Sequence, residues 1–358
     1  MATATGSIGH EQARPETKSR RPLAVSMGDP AGIGPEITLR AWADRSECGL
    51  APFAVFGDAE TFTERARHLA LNVPVQAISS LQDAASVFAK ALPVMHRPLP
   101  VRARPGVPDG ANAAAIVSAI GAATDAVLRG EATAVVTNPI AKHVVKSADF
   151  PFPGHTEFLA ALAERYKGRH FRPVMMLASK QLRVVPLTVH CALAEVPKMI
   201  TRPLIFETVR ITYNALKRDF GIATPRIAIA GLNPHAGEEG TMGREEIDII
   251  GPAIADLRAE GLLVTGPHSA DTLFHAAARR SYDAVIAMYH DQALIPLKTI
   301  GFDEGVNVTL GLPFVRTSPD HGTAFDIAAA GRASATSLIE AMRMASTIAA
   351  ERAATTPQ

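Results

Sequence analysis

Three histidines in this 358-residue chain each follow a short apolar run: His190 after LRVVPLTV, His235 after RIAIAGLNP and His290 after AVIAMY. A lone histidine in such a place is most often a hydrogen-bonded structural residue. Three of them at strand ends of one sheet could instead converge on a divalent metal, with coordination positions left for a substrate. Asp291, beside His290, and Asp271 in HSADTLFH could orient those ligands or take a proton; helix capping explains Asp271 equally well. His155 and Thr156 in GHTEF offer a ring nitrogen and a hydroxyl ahead of a helical pattern. A capping box would need Glu three residues after Thr156, where Leu159 stands, so anion binding at this helix start is open. Further on, Lys298, Asn307 and Arg316 are embedded among Gly, Pro and strand-like segments. A Lys point charge and an Arg fork suit an anionic substrate carrying phosphate or carboxylate.

The elements that must position these groups alternate along the chain. PLAVSM, TAVVTN, VMMLAS, LRVVPLTVH, RIAIAGLNPH, AVIAMYH and VNVTL are strand-like, and apolar positions at three- and four-residue spacing predict helices over 111–130, 203–221 and 244–261, each closing on Gly. SATSLIEAMRMASTIAAERAA predicts a C-terminal amphipathic helix with a Met and Leu stripe for packing. Such an α/β chain implies a largely parallel sheet flanked by helices, with ligands at the carboxyl ends of strands. GDPAGIGPE, residues 28–36, follows the first strand but lacks the third glycine of a Rossmann fingerprint and is not a Walker loop; a tight turn with Pro35 in the first helical turn accounts for it.

Composition narrows the function. At 47% hydrophobic the chain can bury a large core, and its length favours two domains. A net charge of +1 without a basic stripe argues against nucleic acid and for a small-molecule ligand. Cys48 and Cys191 form no CxxC pair, which suits a reducing compartment, so the expected location is cytoplasmic. Residues 1–21 read as a disordered tail. No apolar stretch is expected to reach the roughly 20 residues of a bilayer span, and no membrane partner is expected.

Taken together, SMGDPAGIGPEI, TNPIAK, GHTEFLA, GLNPHAGEEGTMGREEID, ADTLF, AMYHDQALIPLK and EGVNVTLGLPFVRTSPDHGTAFDIA closely resemble the 4-hydroxythreonine-4-phosphate dehydrogenase family of pyridoxal phosphate biosynthesis, from about Pro22 to the C-terminal helix. The resemblance implies the two-domain α/β fold of isocitrate and isopropylmalate dehydrogenases, in which NAD (or NADP) is held without a Rossmann fingerprint. On that basis 22–140 with 311–358 form a cofactor-side domain and 141–310 a second domain carrying the metal and the dimer interface. It further implies a homodimer with the active site in the interface and one divalent metal (Zn, Mg or Co) on His190, His235 and His290. Substrate contacts are implied for His155, Thr156, Lys298, Asn307 and Arg316, and cofactor contacts for His321 and Gly322. The implied reaction oxidises the 3-hydroxyl of 4-phosphooxy-L-threonine and decarboxylates the product, with Asp291, Asp271 or Lys298 moving the proton. The sequence also admits a sister dehydrogenase acting on a phosphorylated sugar acid or an aromatic cis-dihydrodiol carboxylate. More remote are a metal-dependent hydrolase and a metal-stabilised binding protein.

Overall fold

The computed structural model describes residues 21–148, 150–152 and 154–355. Nearly all of the expected tail therefore lies outside the described residues, although Arg21 already donates a hydrogen bond to the carbonyl of Gly130.

Short runs of β-branched and aliphatic residues form twelve strands: β1 (Leu23–Ser26), β2 (Phe53–Gly57), β3 (Val75–Ile78), β4 (Leu92–His96), β5 (Val135–Thr137), β6 (Val174–Ala178), β7 (Arg183–Pro186), β8 (Arg226–Ala230), β9 (Leu263–His268), β10 (Ala284–Ala287), β11 (Val306–Leu310) and β12 (Arg316–Pro319). They make one sheet in the order β3-β4-β2-β1-β5-β12-β11-β6-β7-β10-β8-β9. The expected largely parallel α/β architecture is what forms, and β1 and β10 are buried at every position, as strands covered on both faces must be. Neighbours are parallel except β11 with β12, β11 with β6, and β6 with β7. Those three antiparallel pairs reverse the sheet. The carboxyl ends of β1, β5 and β12 therefore open at one edge, and those of β7, β10 and β8 at the opposite edge.

Among the described residues twelve α-helices connect the strands: α1 (Gly34–Ala43), α2 (Ala59–His68), α3 (Ala84–Phe88), α4 (Ala113–Leu128), α5 (Lys142–Val145), α6 (His155–Lys167), α7 (Val196–Met199), α8 (Arg202–Phe220), α9 (Gly251–Ala259), α10 (Ala276–Arg279), α11 (His290–Gly301) and α12 (Thr336–Thr355). Gly221 closes α8 in the left-handed conformation, as its position predicted. The stripe on α12 is packing: Leu338, Ile339, Met342 and Ile348 are buried. Asp219 of α8, held by Arg218 and by Arg352 of α12, ties these two helices together. One expectation needs correction. Gly110–Leu128 is long and apolar enough, by length and composition, to cross a membrane. Its length comes from alanine, and Ala113, Ile116, Ala119, Ile120 and Ala123 are buried where α4 packs on β1, β2 and α6, so the run is a core helix of this fold.

Candidate active site

A cavity of about 610 Å³ crosses the face of the sheet from one edge to the other. The antiparallel register that pairs Asn307 with Ser318 and Val308 with Thr317 sets Thr309 alongside Arg316. Alternation then turns Asn307, Thr309, Arg316 and Ser318 to a single face. Nine of the residues expected from sequence line this one space: His155, Thr156, His190, His290, Lys298, Asn307, Arg316, His321 and Gly322. Asp291, Asp271 and His235 do not.

At one end Arg316 is 3% exposed. Its Nη1 donates to the Thr309 hydroxyl at 3.0 Å and its Nη2 to the Thr137 hydroxyl at 2.7 Å, while Nε has no partner. Burial lowers its pKa to about 10, partly opposed by Glu157. His155, the first residue of α6, keeps a buried Nε2 without a partner, and burial, with Arg316 and Lys142 adding to it, pushes its pKa down to about 3. Thr156 is not a cap: α6 starts from Gly154 with no side-chain acceptor for its free N–H groups. An uncapped helix start beside a buried guanidinium and a neutral imidazole forms an anion-binding corner.

At the other end, β7 and β10 run in parallel register with Pro186 opposite Ala287, and the ladder continues as Thr188 donates to the Met288 carbonyl. The chains then release His190 and His290 side by side, ring centroids 5.6 Å apart. Neither is a terminal strand residue. His190 lies in the bend beyond β7 and His290 opens α11. The Asp291 carboxylate lies 2.7 Å from Nδ1 of His290 and accepts a hydrogen bond from it in the tautomer that leaves the Nε2 lone pair free. Burial, with Lys142 and His290 adding to it, lowers the pKa of His190 and favours its neutral form. Two adjacent imidazoles, one beside a carboxylate, are a donor set for a divalent cation. Lys298 reaches the Asp320 carboxylate at 3.3 Å, and His321 and Gly322 line the same cavity.

His235 lies elsewhere. After β8 the backbone enters a run of left-handed residues from His235 to Glu239, and His235 is exposed near Asp271, whose carboxylate accepts the Ser269 hydroxyl. Among the described residues no three His, Cys, Asp or Glu side chains are placed to hold one ion. A single chain thus brings together two of the three expected ligands. The turn carrying His235 is built on Glu246, a residue the sequence did not single out. Its buried carboxylate accepts from the Leu232 and Asn233 backbone N–H groups and from the Asn233 side chain. The spacing from Asn233 to Glu246 within GLNPHAGEEGTMGREE was the only signal for it. Lys142, Glu157 and Asp320 also line the cavity and were likewise missed. The GDPAGIGPE turn behaves as expected, with Pro35 in the first turn of α1. It packs against both Asn138–Pro139 and Thr323, so a Cβ on Gly28 would come within 2.6 Å of the Pro139 carbonyl oxygen.

Comparison with known proteins follows the same lines. The pyridoxal phosphate biosynthetic protein PdxA family matches residues 50–345. A 4-hydroxythreonine-4-phosphate dehydrogenase of Methylorubrum populi is 57% identical over 333 residues, covering 92% of this chain and 95% of its own. The crystal structure of a 4-hydroxythreonine-4-phosphate dehydrogenase from Klebsiella pneumoniae superposes with a TM-score of 0.79 at 39% identity, covering 92% of this chain and 99% of that one. A terephthalate 1,2-cis-dihydrodiol dehydrogenase from Burkholderia xenovorans is more distant, with a TM-score of 0.61 at 30% identity, covering 92% and 98%. The chain belongs to the pyridoxal phosphate biosynthetic protein PdxA family, that of the 4-hydroxythreonine-4-phosphate dehydrogenases.

Proposed function

We propose that this protein oxidises the 3-hydroxyl of 4-phosphooxy-L-threonine with NAD or NADP, the β-keto acid then losing carbon dioxide. The observation that carries this reading is the two-ended cavity: an anion-binding corner around Arg316 and His155 at one end, and a pair of adjacent imidazoles towards the other. When bound, a divalent ion at His190 and His290 supplies Lewis-acid chemistry at the reacting hydroxyl, and the nicotinamide supplies the hydride acceptor.

The chain's own residues do the rest. Arg316, His155 and Thr156 bind the phosphate and fix the distance from it to the secondary hydroxyl. Asp291 holds His290 in the tautomer whose Nε2 faces outward. Lys298, paired with Asp320, moves the proton of the hydroxyl, and Asn307 orients the amino-acid end. His321 and Gly322, on the rim of the same space, contact the cofactor.

The third ligand comes, in this reading, from His235 of a second copy, which makes the active unit a homodimer. Support lies in exposed apolar side chains on the elements that carry the imidazoles: Leu193, which lines a pocket with His190 and His290, is 67% exposed, and Ile295 of α11 63%. Exposed apolar surface beside a site is often covered by a partner. A cis-dihydrodiol carboxylate is the second reading, since the Burkholderia xenovorans enzyme shares the fold at 30% identity; the much closer relatives favour the phosphorylated substrate. Membership in a dehydrogenase family also favours oxidation over metal-dependent hydrolysis. Assaying 4-phosphooxy-L-threonine, phosphorylated sugar acids and cis-dihydrodiols with each nicotinamide, by absorbance of the reduced cofactor, separates these readings. Turnover of a dihydrodiol alone would refute the first.

A further inference from the structure

We propose that Lys142 is the second cation of the phosphate-binding end, acting with Arg316 on one phosphate monoester; this rests on the phosphorylated-substrate reading above. Lys142 closes the segment TNPIAK and opens α5. Four cations line the cavity: Lys142, Arg172, Lys298 and Arg316. Two are already neutralised, Lys298 by Asp320 at 3.3 Å and Arg172 by Glu207 at 2.8 Å. Arg316 is held only by hydroxyls. Among the described residues Lys142 has no carboxylate within ion-pair distance. Two cations without a carboxylate in ion-pair contact match a phosphate monoester, which carries a charge of about −1.5 to −2 near neutrality.

The geometry assigns both cations to the same corner. A Cβ built on Gly154 would lie 3.8 Å from Cε of Lys142, so the lysine stem runs along the residue that precedes α6. There the first-turn N–H groups of a 13-residue helix have no side-chain cap. Two buried polar atoms at this corner are also unpartnered, Nε2 of His155 and Nε of Arg316. Glycine at position 154 keeps the space between lysine and helix start open. The Glu157 carboxylate approaches the same point, 3.6 Å from that Cβ position. Its negative charge opposes an entering anion, so it sets how tightly phosphate is held.

The test uses the full-length protein and inorganic phosphate, titrated by calorimetry into the wild type, Lys142→Met, Lys142→Arg and Glu157→Gln. Lys142→Met should weaken phosphate binding by about 10-fold or more, the loss of one charge-assisted contact, and Lys142→Arg should restore most of it. Glu157→Gln should tighten it. In the oxidation assay Lys142→Met should raise KM for the phosphorylated substrate more than it lowers kcat, and raise it far less for unphosphorylated 4-hydroxythreonine. A Lys142→Met protein that melts like the wild type and binds phosphate equally well overturns the proposal. Loss of phosphate binding in that variant, in an enzyme that oxidises only unphosphorylated substrates, would instead uphold the anion site and refute the reading of function.

Discussion

Replacing Arg316 with Met separates what this residue does for the fold from what it does for the substrate. The guanidinium is 3% exposed and, among the described residues, has no carboxylate in ion-pair contact. Its pKa falls from the ordinary 12.5 to about 10 through burial, so carrying the charge costs the free protein roughly 3 kcal/mol. Methionine removes that cost. It also removes two hydrogen bonds to the hydroxyls of Thr309 and Thr137, worth roughly 1.5 kcal/mol each from a charged donor. The two effects nearly cancel, and Tm should move by no more than about 5 °C. Substrate binding has no such compensation. A fork desolvated against phosphate loses about 2–4 kcal/mol, a fall of roughly 30- to 1000-fold in kcat/KM for 4-phosphooxy-L-threonine. Thermal melts and steady-state kinetics on the same preparation measure both. A large drop in Tm would show that Arg316 is a structural keystone. Equal losses of kcat/KM on phosphorylated and unphosphorylated 4-hydroxythreonine would move it away from the phosphate.

Three further changes have defined outcomes. Asp291→Asn leaves His290 without its orienting carboxylate and should weaken divalent-metal affinity by about 10- to 100-fold with little change in melting, as metal titration would show. Glu246→Ala strands three donors in the turn that carries His235; urea unfolding should register a loss of about 2–4 kcal/mol, with activity falling further than stability. His155 has a folded pKa of about 3 against an ordinary 6.5, so the unfolded chain takes up a proton that the folded protein refuses. The stability tied to it is whole above about pH 6.5 and is lost towards pH 3, by up to roughly 1.4 kcal/mol per pH unit. His155→Gln should flatten urea stability across that window, and an unchanged slope would mean the ring is not the group refusing the proton.

The substrate end was legible because its chemistry sits in strands and turns whose pattern is local. Asn307 and Arg316 interrupt apolar β-runs, and the alternation of β11 and β12 turns them to one face. β12 itself was missed, because RTSP is polar and ends in proline. The reversal of the sheet was not legible either. It depends on antiparallel pairing of β11 with its sequence neighbour β12 and with β6, which lies more than a hundred residues earlier in the chain, and it makes the cavity cross the sheet instead of following one edge. The strands that precede the three histidines are neighbours, since β7, β10 and β8 are adjacent and parallel. Sequence spacing could not show that five residues of left-handed turn carry His235 away from the other two. Lys142 was invisible because an exposed lysine opening a short helix has no distinguishing pattern until Gly154 is seen beside it.

Reactivation after chelation tests the proposed chemistry most directly. The protein is stripped of metal, shown to keep its melting profile, and supplied with 4-phosphooxy-L-threonine and NAD while Zn, Mg or Co is titrated back. Formation of reduced cofactor should be absent before metal addition and return as the ion binds. Chelated His290→Ala protein, equally folded, should not recover at the same metal concentrations. Full turnover by the stripped wild type, or equal reactivation of His290→Ala, would contradict a metal held between His190 and His290.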